Sequence, residues 1–220
     1  MFQTLCRFRP APGRVVLPDV CCDVTFLGNQ LNVSGPLTQA QRSRGIEGEV
    51  VLLRIAPADA YHLLRVPIKE LTNCVVRLDA VNRSLAHELE RAYECGRLTE
   101  LVRPIHLAPA DRRFQAAAVA LGRGSTVRRA AAIVGLSERQ LERLFHEHAG
   151  LAPKTFARIV RLRRTLIAAQ RGASLALSAA THGYADQAHF SRDVRAFTCR
   201  SPGSLLPNVG SVQDVIAGEI

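Results

Sequence analysis

The stretch of residues 126–153 restricts the fold of this chain more than any other. A short run with apolar residues at helical spacing ends near Ile133. Gly135 follows it, at a tight turn that needs a residue without a Cβ atom. Ser137 is placed to cap a second such run, which carries apolar residues over residues 141–145. Two short helices joined by a glycine turn are typical of a helix-turn-helix, whose second helix enters the major groove of DNA.

The same pattern recurs 48 residues later, and 49 residues later after the turn. Each pair of positions is of one physical kind: a small packing residue, a turn glycine, a helix cap, a core residue, a basic residue or a proline after the helix. The extra residue falls in the turn, where insertions are tolerated. Two helix-turn-helix units are therefore predicted. The paired positions are Ala131 and Ala179, Gly135 and Gly183, Leu136 and Tyr184, Ser137 and Asp186, Leu141 and Phe190, Arg143 and Arg192, Phe145 and Val194, and Pro153 and Pro202.

A long helix over residues 155–169 is predicted to connect the two units. Its apolar stripe consists of Phe156, Ile159, Val160, Leu162 and Leu166, and its remaining surface carries Arg158, Arg161 and Arg164. A rigid connection of this kind fixes the separation of the two recognition helices. We expect them to enter major-groove segments roughly 34 Å apart on one face of the DNA.

The formal net charge of +10 is concentrated in the C-terminal half. Residues 1–109 hold 13 Lys and Arg against 11 Asp and Glu, whereas residues 110–207 hold 16 against 6. A domain with such an excess is attracted to a polyanion. The six cysteines form no C-x-x-C pair, and no secretory or membrane-spanning apolar run occurs. These features predict a reduced, cytoplasmic protein with buried structural thiols and no membrane segment.

The N-terminal half is predicted to be rich in β-strands. Short β-branched runs occupy residues 15–17, 20–27, 31–33 and 50–55, with the last in a central position and a hairpin turn at Gly28-Asn29. Helices are expected over residues 58–64, 82–95 and 98–105. The apolar residues Val24, Phe26, Val51 and Leu53 line either a ligand pocket or, as favoured here, an ordinary core.

A proline-containing boundary at residues 104–111 separates the halves, and Asp111 is expected to cap a helix over residues 112–121. The predicted fold class is α+β. A small β-rich, sensor-like domain (residues 1–105) precedes an all-α double helix-turn-helix domain (residues 111–207) and a tail (residues 208–220).

The C-terminal half also carries a recognisable motif. It reads Ser137-x3-Leu141-x-Arg143-x-Phe145-x4-Gly150-x2-Pro153, then Gly183-Tyr184-x-Asp186-Gln187-x-His189-Phe190-x-Arg192, then Ser201-Pro202. This pattern resembles the AraC/XylS family of bacterial transcription regulators over residues 111–207. The N-terminal half is similar to the β-rich sensor region of one branch of that family, through Pro18-Asp19 and Val33-Ser34-Gly35-Pro36. Two departures concern the second unit: Cys199 replaces a usual Gly, and Val194 replaces a usual Phe.

The resemblance implies a sequence-specific DNA-binding transcription regulator that is neither an enzyme nor dependent on a cofactor or metal. Its implied partners are promoter or operator DNA, RNA polymerase, a small-molecule effector and a second copy of the chain. The residues expected to read bases are Arg139, Glu142, Arg143, Gln187, His189, Ser191 and Arg192. The residues expected to contact phosphates are Ser137, Gln140, Arg128, Arg129, Lys154, Arg158 and Arg164.

Other roles for these residues stay open. Arg139 and Glu142 can pair with each other along the helix surface, Arg143 can tie the two helices together, and His189 can serve packing. A partner-binding regulator whose second unit has lost DNA reading is a further alternative. A cysteine-based DNA alkyl acceptor is disfavoured, because the scattered cysteines lack the clustering that a zinc site needs.

Overall fold

A five-stranded antiparallel sheet forms the N-terminal part of the chain in the computed structural model. The structure describes residues 4–101, apart from residues 10, 11, 14, 29, 44 and 46, and residues 109–205. Most of the predicted boundary at residues 104–111 and the predicted tail at residues 208–220 therefore lie outside the described residues. None of the helices in the described ranges combines the length and the apolar character that crossing a membrane requires.

The sheet has the strand order β1-β6-β3-β4-β7, and β2 pairs with β5 in a separate two-stranded ribbon. The predicted central position of the apolar strand is confirmed, because β6 is flanked by β1 and β3. Leu27 pairs with Gln30, so a two-residue loop joins β3 and β4 at the predicted hairpin. The strands are β1 (Thr4–Phe8), β2 (Val15–Val16), β3 (Cys22–Leu27), β4 (Gln30–Ser34), β5 (Gln41–Arg42), β6 (Val50–Ile55) and β7 (Val75–Arg77).

Three helices, α1 (Pro57–Leu64), α2 (Leu78–Val81) and α3 (Arg83–Glu94), pack on this sheet, with short 3-10 turns at Ile68–Leu71 and Leu98–Leu101. The predicted face of α3 is confirmed, because its apolar residues join the buried core of the sheet. Asn82 caps α3 by accepting a hydrogen bond from the Leu85 amide. The same core contains Val24, Phe26, Val51 and Leu53, so these residues are core residues, as the favoured interpretation held.

Within residues 109–205 there are seven further helices: α4 (Pro109–Gly122), α5 (Val127–Ile133), α6 (Glu138–Ala149), α7 (Pro153–Gln170), α8 (Leu175–Thr181), α9 (Gln187–Thr198) and α10 (Pro202–Leu205). The predicted start of α4 was wrong. The helix begins at Pro109 and already includes Asp111, which therefore does not precede it as a cap. Proline suits the first helical position, because the amide hydrogen that it lacks has no partner there in any helix.

The N-terminal and C-terminal parts of the chain pack directly on each other. Val15, Leu17, Val20 and Cys21 precede β3, yet they belong to the buried cluster of the helical part. The Ala40 amide donates to the Phe197 carbonyl at 2.7 Å. These contacts give the two predicted domains a shared buried boundary.

A buried ion network crosses the same boundary. Arg54 on β6 donates to Asp19 at 2.7 Å and to both carboxylate oxygens of Asp23 at 2.8 Å. Arg163 of α7 lies 3.6 Å from Asp19 and is almost fully buried. Burial opposes the charge of Arg54, but Asp23 and Asp19 hold the pKa of its guanidinium well above its usual value. Asp19 thereby links Arg163 of the connecting helix to Arg54 of β6 by charge.

Candidate nucleic-acid interface

Two copies of the same local structure lie in the helical part. The turn glycines Gly135 and Gly183 have positive φ angles of 67° and 83°, in the region that favours glycine. Ser137 Oγ accepts a hydrogen bond from the Gln140 amide at 3.3 Å, and Asp186 Oδ1 accepts one from the His189 amide at 2.6 Å. Both predicted caps are therefore confirmed, and both predicted recognition helices, α6 and α9, begin where the repeat placed them.

The core of each unit is closed. Leu141 and Phe145 in α6, and the matching Phe190 and Val194 in α9, have no exposed surface. Phe197 is also buried beside Val194, so the smaller residue there leaves the second core covered. Cys199, which stands where the family usually has Gly, follows the last residue of α9. Its φ of 55° lies in the left-handed region that favours glycine.

The connecting helix α7 is longer at both ends than predicted, and its apolar stripe is buried as expected. Pro153 opens the helix, so its 18 residues follow the first recognition helix after a turn of three residues. Arg163 lies on the buried side of α7, which the analysis of the sequence did not anticipate.

The predicted base-reading residues of the first unit, Arg139, Glu142 and Arg143, are all exposed on α6. Within the described ranges no ion pair joins Arg139 to Glu142, which leaves both side chains directed to solvent. In the second unit Gln187 and Arg192 are exposed, whereas His189 and Ser191 are half-buried.

The His189 ring packs edge-on against Tyr184, with 5.1 Å between the ring centroids. Packing is thus one role of His189. Base reading by the residues of both units stays a prediction.

The predicted phosphate contacts fall into two groups. Arg128, Arg129 and Lys154 are exposed. The others have partners inside the protein: Ser137 and Gln140 form a reciprocal capping box, Arg158 binds Asp193, and Arg164 donates to the Gly122 carbonyl at 2.5 Å. The first group is the more available to DNA, and the contacts of both groups with phosphate stay predictions.

Asp193 holds the second recognition helix against the connecting helix. This almost fully buried carboxylate accepts from Arg158 Nε and Nη2 at 3.1 and 2.8 Å, and from Arg161 Nη2 at 3.3 Å. The Tyr184 hydroxyl donates to it at 3.3 Å, and burial together with the Asp193 charge raises the pKa of that hydroxyl, which stays protonated. The two guanidiniums also stack on the rings of Phe197 and Tyr184.

We call this arrangement the Asp193 clasp. The sequence pattern did not predict it, although a signal was present. Asp193 lies at a core position of α9, three residues after Phe190 and four before Phe197. A carboxylate at such a position needs a buried cationic partner.

A groove of about 1110 Å³ opens between the two units. The end of α4 and the start of α5 line one side, the end of α8 and part of α9 line the other, and α7 lies between them. We call this feature the interunit groove. Its lining includes the predicted DNA-contacting residues Lys154, His189 and Arg192. The groove and part of the second recognition helix therefore share one surface.

Comparison with known proteins agrees with this geometry. Residues 130–207 match a family model described as a helix-turn-helix domain. Comparison with curated protein sequences finds no match.

Similar solved structures include that of ToxT from Vibrio cholerae in its P21 form, at 10% identity and a TM-score of 0.48, covering 95% of this chain and 99% of that one. Wild-type ToxT from Vibrio cholerae strain SCE256 with a bound unsaturated fatty acid has 9% identity and a TM-score of 0.48, and the match covers 94% of this chain and 96% of that one. ToxT from Vibrio cholerae O395 bound to (E)-4-(8-methylnaphthalen-1-yl)but-3-enoic acid has 10% identity and a TM-score of 0.47, and the match covers 96% of this chain and 100% of that one.

Proposed function

We propose that the chain is a DNA-binding transcription regulator of AraC type, with its helix-turn-helix domain at residues 130–207, and that it reads two adjacent major-groove segments of one promoter site. In this proposal Arg139, Glu142 and Arg143 read one segment. Gln187, His189, Ser191 and Arg192 read the other. Arginine can bond guanine through two donors, glutamine can do the same with adenine, and glutamate can accept from cytosine.

The observation that carries the proposal is the presence of two complete units on one rigid connection. Each unit has its turn glycine, its capped second helix and a closed core. The helix α7 between them has 18 residues and is therefore about 27 Å long. That length is compatible with two recognition helices about one turn of DNA, roughly 34 Å, apart.

The charge distribution supports the same proposal. Residues 110–207 contain 16 Lys and Arg against 6 Asp and Glu. The phosphate candidates Arg128, Arg129 and Lys154 are exposed. Their attraction to the DNA backbone would add affinity that is independent of sequence and sensitive to salt.

Selection of binding sites from random DNA by the purified full chain tests the proposal. We expect a motif of two boxes about one helical turn apart. Arg143→Ala should remove the preference in one box, and Arg192→Ala in the other. Arg171→Ala is the matched control, because Arg171 is exposed at the end of α7 and belongs to neither recognition helix.

Two outcomes would count against the proposal. A motif of only one box would show that the second unit does not read bases, and this result would favour the partner-binding alternative. Enrichment of no motif, with weak binding that salt removes, would refute sequence-specific regulation.

We further propose, from the resemblance alone, a cytoplasmic location, contact with RNA polymerase, a small-molecule effector acting through the sheet, and pairing with a second copy. An effector at the sheet would act by binding one arrangement of the two parts more tightly than another. The direct packing of residues 15–21 into the helical core provides a route for such coupling.

A further inference from the structure

We propose that the interunit groove holds the sugar–phosphate backbone of the DNA where it passes between the two major-groove segments. This inference rests on the proposed function and adds a third contact region, in which residues outside the recognition helices read charge and spacing but no bases. It assigns a DNA contact to Arg123, which belongs to neither recognition helix.

The charge of the groove is the first argument. Six basic residues line it against a single carboxylate, that of Asp193; they are Arg123, Lys154, Arg158, Arg161, Arg164 and Arg192. Asp193 already binds Arg158 and Arg161, so the other four cations have no carboxylate partner among the described residues. A polyanion supplies the compensating charge.

The exposure of these side chains is the second argument. Arg123, Lys154 and Arg192 are exposed, so they can reach a ligand without disturbing a core. Arg164 is half-buried and donates one nitrogen to the Gly122 carbonyl, which leaves further donors of its guanidinium available. Basic groups therefore line the groove along the sides and on the connecting helix.

The size and position of the groove identify the form of the anion. Its volume of about 1110 Å³ exceeds that of typical pockets for small molecules, roughly 300–1,000 Å³. Its two sides come from different units, and its lining includes His189 and Arg192 from the predicted base-reading face of α9. A strand of the same duplex that α9 enters would reach this surface, whereas a free small anion would occupy only part of it.

The binding experiment compares the full chain with Arg123→Gln, Lys154→Gln and the double variant on DNA carrying the selected motif. The dissociation constant is measured by fluorescence anisotropy between 50 and 200 mM salt. Each lost phosphate contact should make the negative slope of log K against log[salt] shallower by about 0.9. Between 50 and 200 mM salt, the affinity of such a variant should therefore fall roughly 3.5-fold less than that of the full chain. Arg112→Gln and Arg171→Gln are the controls, since both residues are exposed and neither lines the groove.

A second probe assigns the contact to the DNA between the boxes. Neutral methylphosphonate groups replace single phosphates at successive positions between the boxes. At the contacted positions they should weaken binding by the full chain and have little further effect on the double variant. The selected base sequence should be the same for all variants.

The outcomes separate the two proposals. If the full chain selects two boxes but the groove variants keep its salt slope, the groove is not a backbone contact and the proposed function stands. If the groove variants change the selected bases, the groove reads sequence and this inference is wrong. If the full chain selects no motif, the proposed function itself fails.

Discussion

Removal of the Asp193 carboxylate should loosen the second recognition helix from the connecting helix. Asp193→Ala leaves Arg158 and Arg161 without their shared counter-charge and removes the acceptor for the Tyr184 hydroxyl. Loss of one partner from a fully buried ion pair typically costs 3–5 kcal/mol. Here the carboxylate is buried, but 35% and 27% of the two arginine side chains remain exposed. Solvent screening reduces the expected loss to about 2 kcal/mol.

Urea unfolding followed by circular dichroism measures this loss, and site selection shows its effect on function. We expect preference in the second box to weaken more than preference in the first, because the clasp joins α9 to α7. Asp193→Asn keeps an acceptor without the charge and should lose about half as much stability. Asp186→Asn is the matched control: it removes a carboxylate from the start of the same helix, where asparagine caps as well as aspartate.

The reasoning would be refuted if Asp193→Ala unfolded within about 0.5 kcal/mol of Asp186→Asn, a difference typical of surface substitutions. The carboxylate would then contribute no more than an exposed charge. Equal weakening of both DNA boxes, with stability lost as expected, would show that the clasp supports the whole helical part and not α9 alone.

Three further results are expected. Gly150→Ala should destabilise the protein by at least about 1–2 kcal/mol in urea unfolding. Gly150 has φ of 66°, and an added Cβ would collide with Thr72 and the Ile68 carbonyl. A neutral effect would contradict this packing. Cys199→Gly should stabilise by about 1 kcal/mol in the same assay, because φ is 55° there, and a loss would show that the thiol makes compensating contacts. Alkylation of the native protein at pH 8, followed by mass spectrometry, should modify three thiols and spare three, with all six reacting in urea. Burial raises the pKa of Cys21 to about 12 and that of Cys22 well above its usual value, so neither forms the reactive thiolate at pH 8, and native modification of either would contradict their burial. The exposed thiols are Cys74, Cys95 and Cys199, for which the prediction of buried thiols was wrong, and the buried ones are Cys6, Cys21 and Cys22.

The two helix-turn-helix units and the helix between them were predictable from local sequence patterns. Turn glycines, caps and apolar spacing act over four residues or fewer, so they can be recognised without knowledge of the rest of the fold. The hairpin at Gly28 and the buried face of α3 were predictable for the same reason. The start of α4 was not, since Pro109 and Asp111 are both acceptable near a helix start and only the folded chain shows which one opens the helix.

The partners of the buried charges, in contrast, follow from long-range packing and were not predictable. Arg54 meets Asp19 across 35 residues, Arg158 meets Asp193 across 35 residues, and β1 pairs with β6 although four strands lie between them along the chain. The interunit groove likewise assembles residues from five helices or their ends. A charged residue at an apolar position implies that a partner of opposite charge exists, but the identity of that partner depends on how distant elements pack. Local periodicity carries no information about that packing.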